Sequence, residues 1–87
     1  MKTEIEIMSR IQMYQMAMNI DAKPDAYYRD IEASINELKF ILGKTESEVE
    51  LRLQMREMDM EQVDKNYIGY PLIKAEISEL NWALGRK

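Results

Sequence analysis

Eighty-seven residues with no cysteine and no histidine leave room for one small domain, held by packing alone without a disulfide or zinc site. The net charge of −4 argues against a DNA or RNA polymer as partner, because such binding calls for a basic surface. No apolar run reaches the eighteen or so residues of a membrane span, and no signal-peptide pattern opens the chain. A soluble, cytoplasmic protein with no membrane partner is expected.

The first helix opens on a capping box, Thr3 with Glu6. Ile7, Ile11, Tyr14 and Met18 make one seam, and Met8, Met13, Met16, Ala17 and Ile20 widen it until the second half is apolar almost all round. A helix on the outside of a monomer should be apolar on one side only. Two-sided apolarity in so short a chain predicts either a central core helix or burial in an oligomer, and we expect a homo-oligomer. Arg10 lies among these apolar residues, so its charge needs a partner. Glu6, four residues earlier, is the local candidate.

Asp21 to Pro24 reads as a linker, since the residue before proline is pushed out of helical geometry. A second helix starts near Asp25, with its seam at Tyr28, Ile31, Ile35, Leu38 and Leu42. Arg29, Asp30, Glu32, Asn36, Glu37 and Lys39 are expected to face outward, and Gly43 to stop the helix.

Thr45 with Glu48 is a second capping box. Beyond it the periodicity is ambiguous. Val49, Leu51, Leu53 and Met55 alternate with polar residues as in a strand, yet the residues are strong helix formers and Leu51, Met55 and Met58 keep helical spacing. Helix is predicted over 46–62. Residues 46–64 are also acidic, with seven carboxylates against Arg52 and Arg56. Asp64 to Tyr70 reads as a loop. Pro71 then opens a final helix striped by Ile73, Ile77, Leu80 and Leu84, with Gly85, Arg86 and Lys87 at its end. The fold class is thus all-α, a single domain (1–87) of about four helices.

Without His or Cys, most nucleophilic triads and transition-metal sites are excluded. The glycines are single, so no phosphate-cradling loop is present. The carboxylates sit on helix faces with no sign of burial. No enzyme and no cofactor is expected, and binding is the live category. Tyr67 and Tyr70 flank Gly69 just before a helix N-terminus, which attracts anions, while their rings can stack on bases. The same tyrosines, and the eight methionines, also suit plain packing or an adaptable contact surface.

Glu4-Ile5-Glu6-Ile7-Met8-Ser9-Arg10-Ile11 and the stretch opening at Ile68-Gly69, with Ile73, Ile77, Leu80, Ala83 and Leu84, resemble the phage anti-CBASS nucleotide-sponge family over roughly a third of the chain. Members are small helical hexamers that sequester cyclic oligonucleotide immune signals without cleaving them. The resemblance implies a cyclic di- or trinucleotide ligand held between protomers in the host cytoplasm. Candidate ligand-binding residues are Arg10, Tyr14, Tyr67, Tyr70 and Lys74. Where the family has a ligand-binding lysine after Arg-Ile, this chain has Gln12. The other reading of the same residues is an acidic helical inhibitor or adaptor that binds a host protein through its Met-rich helices or the Glu46–Asp64 stripe. A polar pocket lined by arginine and tyrosine favours the sponge; an exposed Met-rich or acidic face favours the adaptor.

Overall fold

A computed structural model describes residues 1–19 and 25–86. The expected linker from Asp21 to Pro24, together with Ile20 and Lys87, lies outside the described residues. Four helices follow in order: α1 Glu4–Met18, α2 Asp25–Ile41, α3 Glu46–Gln62 and α4 Tyr70–Ala83. No strand occurs among the described residues.

Both capping boxes form. Thr3 and Thr45 each accept a hydrogen bond from the backbone N–H three residues on, and Glu6 and Glu48 accept one from the cap residue's own N–H. These bonds, led by the one from the backbone, hold both carboxyl groups below their ordinary value. Gly43 and Gly85 take φ +79° beyond α2 and α4, the left-handed turn that a side chain would strain. After α4 the turn closes in Schellman fashion, with Arg86 N–H on the Asn81 carbonyl and Gly85 N–H on that of Trp82. Helix α4 begins at Tyr70, one residue before the proline, so Tyr70 belongs to the helix and not to the loop.

The helices lie side by side, α2 against α4 in the middle, α1 against α2, and α3 against α4. The slab measures 37 × 33 × 19 Å. Its core joins Ile7 and Ile11 of α1, Ile31, Ile35, Leu38 and Ile41 of α2, Val49 and Leu53 of α3, and Leu80 and Ala83 of α4. Each of the Ile, Leu and Val side chains contributes about 1.5–3 kcal/mol of burial. The predicted α1 seam packs inward, with Tyr14 and Met18 half-buried beside the two isoleucines.

Two expectations fail on the inner surfaces. Glu37 does not face outward; it is 2 % exposed, and Ser34 and Ile41 share its side of α2. Nor do the carboxylates all lie on solvated faces, because Glu79 of α4 is equally buried. In α3 the helix is as expected, but Val49 and Leu53 form its packing face and Leu51, Met55 and Met58 remain exposed. Residues two apart on a helix point about 200° apart. Two apolar stripes on opposite sides of α3 therefore read, in sequence, as strand-like alternation.

Candidate functional site

Arg10 and Tyr14, one turn apart on α1, converge on Glu79 of α4. Arg10 Nε donates to Oε1 at 2.6 Å, and the Tyr14 hydroxyl donates to Oε2 at 2.6 Å. The guanidinium also lies over the Trp82 ring, 4.4 Å from its centroid. The partner of Arg10 is thus Glu79, 69 positions away, while Glu6 is spent on its own cap. Burial and the bond to Glu79 push the Tyr14 hydroxyl up to about 12. Burial is the largest single influence on Arg10 and works to lower it, but the hydrogen bond and charge of Glu79, with Tyr14, together outweigh it and the guanidinium ends above its usual value.

Beside this triad, a cavity of about 360 Å³ opens between α1 and α2, lined by Arg10, Met13, Tyr14, Ala17, Tyr27 and Ile31. The other candidate ligand residues lie elsewhere. Tyr67 lines a groove with Arg29, Lys65 and Pro71. Its ring rests on Gly69, where a Cβ would stand 2.5 Å from the ring edge. Tyr70 and Lys74 line a neighbouring groove with Asp30 and Ser78. Of the five residues, Arg10 and Tyr14 come together at one site, and Tyr67, Tyr70 and Lys74 line two adjoining grooves that share Asp30 and Pro71. No group of three acidic, cysteine or histidine side chains suited to a metal occurs among the described residues, and no described helix is long and apolar enough to cross a membrane.

A second buried carboxylate mirrors the first. Glu37 of α2 accepts two hydrogen bonds from Arg52 of α3, Nε to Oε2 at 2.9 Å and Nη2 to Oε1 at 3.1 Å. That guanidinium stacks on Phe40, 4.1 Å from the ring centroid. One turn on, Arg56 reaches Glu76 of α4 at 3.1 Å and Asp59 at 3.2 Å. Burial pushes the Glu76 carboxyl above its ordinary value; Arg56 opposes that shift and Glu37 adds to it. A bidentate fork between guanidinium and carboxylate is geometrically specific, and here it sets the roll of α3 against the central pair. Sequence reading missed Glu37 and Glu79. The available signal was an acid at helical spacing from core residues: Glu37 lies four before Ile41, and Glu79 four before Ala83.

With these arginines turned inward, the outer faces of the flanking helices take on a particular character. On α1, Ile5, Met8, Met13 and Met16 are exposed, with uncharged Ser9 and Gln12 between them. On α3, Leu51, Met55 and Met58 are exposed, and the exposed charges of the helix are Glu46, Glu48, Glu57 and Glu61, of which Glu48 and Glu61 lie nearest the apolar stripe. No protein-family model matches the chain, and searches of curated proteins and of solved structures find no match.

Proposed function

We infer that the protein is a non-enzymatic helical adaptor or inhibitor that works as a homo-oligomer. The single observation carrying this reading is that its large exposed apolar side chains gather on the outer faces of α1 and α3, apart from Met1, Tyr27, Tyr67 and Ile68. Methionine-rich faces of this kind repack against varied partners, and clustered exposed apolar surface marks interaction sites. The neutral face of α1 suits a second copy of the chain; the acidic-edged face of α3 suits a different protein. A photo-crosslinking residue at position 55, introduced in the native cells, tests this. The expected outcome is a crosslink to another protein, absent when the same residue replaces Lys39. Crosslinks to nothing but itself would contradict the adaptor reading.

The cyclic-nucleotide sponge is a second reading, favoured by the cavity that Arg10, Tyr14 and Tyr27 share. A phosphate entering there competes with Glu79, whose carboxylate already neutralises Arg10 and holds the Tyr14 hydroxyl. This competition is why the adaptor ranks first. Titration calorimetry with cyclic di- and trinucleotides, with recovery of intact ligand afterwards, separates the two. The sponge requires binding that Arg10→Ala weakens by about 1.5–3 kcal/mol. The adaptor requires no binding.

A further inference from the structure

We propose that the outer face of α3 is a docking surface for a basic amphipathic helix of another protein. The inference deepens the adaptor reading and rests on it. Leu51, Met55 and Met58, each between 54 % and 59 % exposed, fall at spacings of four and three and line up along one side of a helix. At about 100° per residue, Glu48 continues this seam toward the N-terminus, Gln54 and Glu61 run along one edge, and Asp59 lies along the other.

Charge complementarity selects the occupant. Both cations of α3 are paired with carboxylates, Arg52 with Glu37 and Arg56 with Glu76 and Asp59, and Arg52 lines a groove with Leu51 and Met55. The exposed charges left on α3 are all carboxylates. A second copy of the same face would set acid against acid. A helix with an apolar stripe flanked by lysine or arginine meets the seam and its edges together, the helix-on-helix mode in which apolar anchors sit at i, i+3 and i+4. Opposed charges at the rim then speed encounter and reject acidic competitors. Methionine supplies the adaptable contact such a stripe requires.

The test uses the whole protein and a fluorescent synthetic peptide of about eighteen residues, leucines along one helical face and lysines along the other. One control peptide has glutamates for lysines, and another has the same composition in scrambled order. The leucine–lysine helix should bind at least about tenfold more tightly than either control. Met55→Ser with Met58→Ser should weaken it about tenfold, whereas Met8→Ser with Met13→Ser on α1 should not. Gln54→Lys with Glu61→Lys should turn the preference toward the glutamate peptide. All these positions are exposed, so helicity by circular dichroism should be unchanged. Equal binding of the scrambled peptide, or indifference to the seam substitutions, would overturn the proposal. Binding of the glutamate peptide through the wild-type seam overturns the basic partner and leaves the adaptor standing. If the seam substitutions dissociate the protein's own oligomer, the face is a self-interface and the adaptor reading falls as well.

Discussion

Helices α1 and α3 flank the same central pair and are anchored alike, yet they present opposite surfaces. Each sends an arginine inward to a carboxylate that is 2 % exposed, Arg10 to Glu79 and Arg52 to Glu37. On α1 this leaves a neutral apolar face, because the helix carries acids only at its first turn, Glu4 and Glu6. On α3 it leaves a negative one. The character of an outer face is therefore set partly by which charges the interior withdraws from it. The same interior device gives one flank a surface that tolerates its own copy and the other a surface that repels it.

The anchors can be broken separately. Arg52→Met leaves Glu37 buried without its cation and should cost about 3 kcal/mol in urea unfolding, the low end for a broken buried pair because Arg52 is partly exposed. Arg10→Met should cost less, about 2 kcal/mol, since the Tyr14 hydroxyl still donates to Glu79. If Arg10→Met proves the costlier, the two anchors are not equivalent in the way described. Tyr14→Phe sharpens the contrast, because it removes the second donor that Glu79 accepts from on α1. It should cost about 1.5 kcal/mol, and the tyrosine that ionises near 12 should vanish from a spectrophotometric titration.

The α3 side is also distinguished by pH. Glu76 is held above its ordinary 4.5, chiefly by burial, so the folded state binds that proton more tightly than the unfolded chain. Its contribution is favourable at low pH and is lost as pH rises from 4.5 through the raised value. Glu6 and Glu48, held below 4.5, act the other way: their contribution is present above 4.5 and lost as pH falls. Urea midpoints across pH should show both limbs. Glu76→Gln should flatten the decline on the rising-pH side and leave the acid limb in place. The smallest expected effect falls on the caps, where Thr3→Ala and Thr45→Ala should each cost about 1 kcal/mol, equally on both flanks.

Local chemistry made much of the fold legible in the sequence. The capping boxes at Thr3 and Thr45, the glycine stops at 43 and 85, and the inner seam of α1 needed only near neighbours to specify them. The misreadings came from contacts between distant residues. Helical spacing offers Arg10 a local candidate partner in Glu6, four residues away; its actual partner lies on α4. Glu37 looked like a surface acid because its burial depends on an arginine 15 positions on. In α3 the exposed side carries as many apolar residues as the packing side, so no count of hydrophobic spacing identifies the packing face. The candidate ligand residues were legible only as residue types. Their separation into two regions, and the closing of Arg10 and Tyr14 on Glu79, became visible only in the packing of α4 against its neighbours.

The central claim is that α1 offers a face to its own copy and α3 to something else. Sedimentation equilibrium at micromolar concentration on three proteins tests it most directly: the wild type, Met13→Glu on α1 and Met58→Glu on α3. The account predicts an oligomer for the wild type, a folded monomer for Met13→Glu, and for Met58→Glu an oligomer of the same mass as the wild type. A folded wild-type monomer, or an oligomer that Met58→Glu dissociates and Met13→Glu does not, would contradict it.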